Sequence, residues 1–242
     1  MIVLANQKEI TDFLIGIWAE QARDSIKRRK KFFVALAGGN TPVDIYRGIG
    51  NSKLINSWDK TQVFLTDERF VPLSSKESNY RMVRDTILDH IDIPPKNIHP
   101  VYTGDSAEKS AREYEQDLIK TFALKEGKFP DFDLILLGVG EDGHIASLLP
   151  GSPALKERKH LALGVYHDRL KQYRVTLTLP VINNARRIVF LVTGKRKAGI
   201  IKDIILEKAL APASLVKPEN KNVLYLLDRE ASLFLPFRKK AF

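Results

Sequence analysis

Short apolar runs that alternate with amphipathic stretches from one end of the chain to the other predict an α/β fold, an open and mostly parallel sheet with helices on both faces. Two further observations support this. Hydrophobic residues make up 44% of the chain, enough to fill a sizeable core. No repeat, low-complexity tract or linker divides the 242 residues, so a single domain is expected.

The elements follow in order. Ile10, Phe13, Leu14, Ile17, Trp18 and Ala22 recur at helical spacing and predict a helix over Gln7–Lys30. Phe32–Ala37 is a compact apolar run that ends in Gly38-Gly39, a buried strand. Pro42 suits the first turn of the next helix. Gln62–Thr66 is a second strand, and a helix follows over Ser78–Leu88. Ala107, Ala111, Tyr114, Leu118 and Phe122 step by threes and fours along another helix. Asp133–Val139 reads as a strand apolar on both faces, and Arg174–Leu179 alternates with period two. Arg187–Val192 is a further buried strand, followed by a helix over Lys195–Leu206 and a last strand over Asn222–Leu227.

The formal charge of +10 points to anionic partners: nucleic acid, a membrane surface or small phosphorylated molecules. Solvated lysine-rich surface explains the same number. The chain has no Cys, which excludes disulfides, a thiolate nucleophile and Cys-ligated metal. No apolar run reaches the roughly 18 residues that span a bilayer, and the N-terminal residues do not read as a signal peptide. The expectation is a cytoplasmic chain without a membrane or nucleic-acid partner. The Lys27–Lys31 run ends a helix, where cations complement the dipole, and Arg238-Lys239-Lys240 reads as a solvated tail.

In parallel sheets ligands bind beyond the carboxyl ends of the strands, and four segments there carry the chemistry. In Ala37-Gly38-Gly39-Asn40-Thr41-Pro42 the glycines let backbone approach a ligand, and Thr41 can cap the following helix. Taken alone, this loop reads equally as a tight turn or as an anion cradle. Thr66-Asp67-Glu68-Arg69 places three charges directly after a strand, where they bind hydroxyls or a developing anion, or form an ion pair at a solvated strand end. Gly138, Gly140 and Gly143 satisfy G-x-G-x-x-G, but Pro150, Gly151 and Pro153 interrupt the helix that a dinucleotide site needs. His144 follows on that loop, two residues from Asp142, and suits a general base that draws a proton from water. Ser147 lacks the G-x-S-x-G elbow, and the His residues at 90, 99, 144, 160 and 167 show no H-E-x-x-H spacing; no metal is expected. Lys195-Arg196-Lys197 puts three cations at a helix start, against the macrodipole. An anionic ligand held by Lys197 or Lys195 would resolve that conflict, as would exposure to solvent.

In register along nearly the whole chain, these segments resemble the 6-phosphogluconolactonase family, within the larger group that includes glucosamine-6-phosphate deaminases. The resemblance rests on Ala37–Pro42, on Thr66–Pro72 with Ser78-Asn79-Tyr80, on Leu137–Gly151, on Arg174–Thr178 and on Gly194–Ala198. It implies one 6-phosphogluconolactonase-like α/β domain over residues 1–242 with an open, Rossmann-like sheet and no cofactor. The implied reaction is hydrolysis of 6-phosphoglucono-δ-lactone to 6-phosphogluconate in the oxidative pentose phosphate pathway. The implied partner is a small phosphorylated sugar lactone. A monomer is expected, with a homodimer as the alternative.

By the same resemblance His144 is the general base, and Gly38, Gly39, Asn40, Thr41, Arg174 and Lys197 hold the phosphate. Asp67 and Arg69 face the substrate; independently of the resemblance, the cation of Arg69 at a strand end makes it the candidate for steadying the tetrahedral oxyanion. Asp142 orients either His144 or a sugar hydroxyl. Deaminases resemble D-G-H-I-A-F-N-E-P where this chain has Ser147-Leu148-Leu149-Pro150, so Leu149 replaces a proton-transferring Glu. Asp67-Glu68-Arg69 is likewise similar to the lactonase rather than to the deaminase D-E-Y. Two positions depart from the pattern. Asn40 stands where the family usually has Ser, and Arg169–Tyr173 stands where it has P-K-P-P, so Lys171 receives no role. The alternatives are a sugar-phosphate isomerase or deaminase and a non-catalytic sugar-phosphate-binding protein.

Overall fold

The computed structural model describes residues 1–168, 170–207 and 209–236. Arg169 and the basic tail at 238–240 lie outside the described residues. The elements are β1 (Ile2–Leu4), α1 (Gln7–Arg29), β2 (Phe32–Leu36), α2 (Pro42–Gly50), β3 (Thr61–Leu65), β4 (Asp67–Arg69) and α3 (Asn79–Thr86). They continue with β5 (Ile98–His99), α4 (Ala107–Phe122), β6 (Leu134–Leu137), β7 (Ala162–His167), β8 (Gln172–Leu177) and α5 (Leu179–Asn183). Last come β9 (Ile188–Val192), α6 (Ala198–Ile205) and β10 (Val223–Asp228).

Seven strands form one parallel sheet in the order β1-β10-β9-β6-β2-β3-β5. Because side chains alternate across a strand, the buried runs feed two cores. In β2, Phe32, Val34 and Leu36 pack with Ile10, Leu14 and Trp18 of α1 and with Ile45 and Ile49 of α2. Phe33 and Ala35 join the opposite core with Ala111, Tyr114 and Leu118 of α4 and Ile201 of α6. The strand apolar on both faces is thus explained by a sheet covered on both sides.

The strand order reverses at β2. From there the chain goes one way to β3 and β5, and the other way to β6, β9 and β10. The crevice at such a reversal, beyond the carboxyl ends of the strands, is where an open sheet accepts ligands. It falls between the loops after β2 and after β6.

The second sheet was not expected. β4, β8 and β7 form a small antiparallel sheet. The charged segment Asp67–Arg69 is therefore a strand rather than a loop, and the period-two run at Arg174 pairs with it instead of joining the main sheet. Asp67, Arg69, Arg174 and Thr176 share one face, because residues opposite each other in a ladder do so. On the other face Gly164 lies against the backbone of Ala107 and Glu108, and Val175 and Leu177 enter the α4 core. One side of this sheet is polar because it borders the crevice, and the other is apolar because it borders the core.

Two local expectations are corrected. Thr41 is helical itself (φ −56°, ψ −45°) and its side chain does not cap α2. Its hydroxyl instead lies 3.3 Å from that of Thr193. The helix expected from Lys195 begins with a 3-10 turn over Lys195–Lys197 and becomes α-helical at Ala198.

The Lys27–Lys31 run is not all solvated surface. Arg28 and Arg29 reach across to Asp133, a fully buried carboxylate at the start of β6, at 3.1 and 2.5 Å. Arg29 also pairs with Asp131 at 2.6 Å, and Arg186 closes the cluster. The Phe33 backbone N–H donates to Asp133 at 2.9 Å, which ties the network to β2. This cluster sits at the amino-terminal edge of the sheet, away from the crevice.

Candidate active site

The crevice is a cleft of about 190 Å³. Nine of the ten site residues expected from sequence line it: Gly38, Gly39, Asn40, Thr41, Asp67, Arg69, His144, Arg174 and Lys197. They come from the loop after β2, from β4, from the loop after β6, from β8 and from the turn after β9. The remaining one, Asp142, supports His144 and does not line the cleft.

The loop after β2 offers donors. Among the described residues, the backbone N–H groups of Gly38, Gly39, Asn40 and Thr41 find no acceptor. Free N–H groups at a helix start favour an anion. Gly38 is required by close approach: a Cβ there would stand 1.9 Å from Oδ1 of Asn79. Lys197 is half-buried beside this loop, whereas Lys195 and Arg196 are exposed and do not line the cleft. Burial pushes the Lys197 ammonium down, and the charges of Glu141 and Asp142 partly offset this.

Arg174 is buried beneath the cleft, with Nη1 3.9 Å from Asp67 Oδ2. Desolvation lowers its pKa against the pull of Asp67, but a guanidinium stays charged at any working pH. Asp67 is itself buried and engaged. Ser147 Oγ donates to its Oδ2 at 2.7 Å, and Thr66 Oγ1 and Asn79 Nδ2 approach its Oδ1 at 3.3 and 3.4 Å. Ser147 is therefore an anchor for Asp67, which gives a reason for its burial that does not involve a serine nucleophile.

Glu68, between the two site residues of β4, faces away and is fully buried. It accepts from the backbone N–H groups of Arg69, Asn79 and Tyr80 at 2.7, 2.7 and 2.8 Å, and from Ser78 Oγ at 3.0 Å. Burial raises this carboxyl, and the four donors counteract that. Ser78 in turn caps α3 by accepting from the Arg81 N–H. Glu68 thus pins the start of α3 to β4 and sets where Asn79 enters the cleft. Arg69 is braced through Nη1 on the Glu77 carbonyl at 2.6 Å, and its Nε has no partner among the described residues.

His144 is partly buried on the loop after β6. Asp142 Oδ1 lies 2.5 Å from its Nδ1 and 3.1 Å from its backbone nitrogen. Burial alone would raise the Asp142 carboxyl, but the backbone N–H and the imidazole of His144 hold it below the ordinary aspartate value. A carboxylate on Nδ1 leaves Nε2 as the free, basic nitrogen. Gly140 lies against the ring, since a Cβ there would be 2.1 Å from His144 Nδ1.

Sequence reasoning did not assign Asn79, Ala146 and Thr193 to the cleft lining. Asn79 left a signal in Ser78-Asn79-Tyr80, a capping residue followed by an amide. Ala146 lies within the Leu137–Gly151 segment that carries the resemblance, and Thr193 left no signal. Among the described residues no group of three or more His, Asp or Glu side chains converges to hold a metal ion. No helix among them is long and apolar enough to cross a membrane.

A cationic crevice at the reversal of a parallel sheet, with a carboxylate-held imidazole at it, is the arrangement of an α/β enzyme. The chain belongs to the family described as glucosamine-6-phosphate isomerases/6-phosphogluconolactonase, whose model matches residues 5–225. It is 39% identical over 233 residues to the 6-phosphogluconolactonase of Synechocystis sp., covering 95% of both chains. It superposes on the 6-phosphogluconolactonase of Trypanosoma brucei with a TM-score of 0.84 at 30% identity, covering 97% of this chain and 98% of that one. A monomeric glucosamine-6-phosphate deaminase also matches, with a TM-score of 0.77 at 25% identity over 96% of this chain and 98% of that one.

Proposed function

We propose that the chain hydrolyses 6-phosphoglucono-δ-lactone to 6-phosphogluconate, as a step of the oxidative pentose phosphate pathway. The observation that carries this reading is the Asp142-held imidazole of His144 at a cleft that also holds Arg69, Arg174, Lys197 and the N–H groups after β2. The loop at Gly38–Thr41, Arg174 and Lys197 hold the phosphate, and that remote binding energy orients the lactone carbonyl. Asp67, already fixed by Ser147, accepts from a sugar hydroxyl.

Asp142 holds the Nδ1–H tautomer of His144. Nε2 then takes a proton from water as the water oxygen bonds to the carbonyl carbon. Arg69 steadies the oxyanion that forms. Collapse breaks the bond to the ring oxygen, which receives the proton back from His144 and becomes a hydroxyl. The new carboxylic acid ionises and releases one proton to solvent.

Leu149 supports the lactonase over the deaminase, because an alkyl side chain cannot move the proton that ring opening requires. The test is lactone hydrolysis above the spontaneous rate for wild type and His144→Ala. A fall toward the spontaneous rate is expected, and a near-wild-type rate in the variant would refute the base assignment. Ammonia release from glucosamine 6-phosphate would favour the deaminase instead.

A further inference from the structure

The polar face of the small sheet carries one more ionisable side chain. His167 pairs with Gln172, two residues before Arg174, so it stands on the face that holds Arg174, Arg69 and Asp67. It is 7% exposed and does not line the cleft. Its ring meets that of His144 nearly at a right angle (88°), with centroids 6.5 Å apart.

The Leu170 backbone N–H approaches His167 Nδ1 at 3.3 Å. The same N–H donates to the His167 carbonyl at 3.1 Å, so it is shared between the two acceptors. Among the described residues three charged or titratable side chains act on this imidazole: Arg174 from β8, and His144 and Asp142 from the loop after β6. Burial, then the charges of Arg174 and His144, hold it below the ordinary histidine value against the opposing pull of Asp142. Its neutral form is thereby favoured. The His144 ring is therefore bounded by three neighbours: Asp142 on Nδ1, Gly140 in contact with it, and the perpendicular ring of His167.

We propose that His167 is a positioning residue for His144, fixing the plane of its ring while adding no charge beside the imidazolium that forms during turnover. The proposal rests on the reading of His144 as the base. An aliphatic side chain would leave the ring free to turn. A permanent cation would oppose its protonation.

The test uses His167→Ala, His167→Phe and His167→Lys in the full chain, with kcat and KM followed against pH and the His144 tautomer read by ¹⁵N NMR. His167→Ala is expected to lose kcat about tenfold, since small misplacements of a reacting group are costly, with KM within about twofold. His167→Phe keeps a ring wall and is expected to recover most of kcat, and it carries the test if the Ala variant folds poorly. His167→Lys places a unit charge near His144 and is expected to move the acid limb of kcat/KM about one unit lower. An Ala variant with kcat within twofold of wild type, or a Lys variant whose acid limb does not move, overturns the proposal. Failure of the base reading shows separately, as an active His144→Ala enzyme, while the His144 tautomer still reports the coupling between the rings.

Discussion

Replacing Glu68 by Gln tests how the cleft is held from behind. Each carboxylate oxygen of Glu68 serves two donors: Oε1 the N–H groups of Arg69 and Asn79, Oε2 the N–H of Tyr80 and the hydroxyl of Ser78. A Gln retains one oxygen for the first pair and turns an NH₂ toward the second. The Ser78 hydroxyl can rotate to accept, but the Tyr80 N–H cannot. That leaves a buried donor unsatisfied, at about 1–3 kcal/mol, and removes a charge-assisted bond of about 1.5–3 kcal/mol. Relief of the buried charge offsets part of this, so a net loss of about 3 kcal/mol is expected, roughly 10 °C in Tm for a chain of this length. Urea denaturation measures it directly. Because burial raises the Glu68 carboxyl, its proton-linked stability is fully present below the unfolded value and is lost as pH rises through the folded one. The Gln variant should lack that slope. A variant within about 0.5 kcal/mol of wild type, with an unchanged pH slope, would refute the buttress. KM should rise with the loss of stability, since the start of α3 that carries Asn79 into the cleft is no longer held through the Tyr80 N–H.

Lys197→Ala should raise KM for the phosphorylated lactone by about tenfold while leaving kcat within a few-fold, and an equal loss with an unphosphorylated lactone would count against phosphate binding. Gly140→Ala should lower kcat by about 100-fold with a nearly unchanged circular dichroism spectrum, because the new Cβ would displace the His144 ring rather than the sheet. Asp133→Ala should cost about 3 kcal/mol in urea denaturation, since it strips Arg28, Arg29 and the Phe33 N–H of a shared buried acceptor. Its kcat/KM under native conditions should stay near wild type, as the cluster lies at the other edge of the sheet.

What could be read from the sequence follows from burial. β2, β3, β6, β9 and β10 are central strands or lie beside one, and their continuous apolar runs carry a direct signature. β1 and β5, of three and two residues, are too short for any periodicity. β4 is composed of Asp67, Glu68 and Arg69, which no strand propensity favours. Its pairing is set by β8, far along the chain. The cleft residues after β2, β6 and β9 were readable because glycines mark the loops behind those buried strands, whereas Asp67, Arg69 and Arg174 lie on β4 and β8 and were readable from their charge and from the family resemblance. His167 was not, because its neighbour is fixed by the register of β7 on β8, a tertiary fact. Arg28 and Arg29 lie in a run whose charge pattern alone suggests solvent, and their partners lie more than a hundred residues away.

The main sheet ends on its two briefest strands, β1 on one side and β5 on the other. An open sheet is always exposed to a stranger's backbone at its rims, where unpaired N–H and C=O groups invite another chain to continue the ladder. Two or three residues offer too few such groups to hold a visiting strand, and a surplus of ten positive charges adds a long-range repulsion against uncontrolled association. The apolar strands that make the best templates for aggregation are confined to the interior of the sheet. The molecule can thus concentrate long, fully apolar strands behind its crevice without becoming a seed for fibrils.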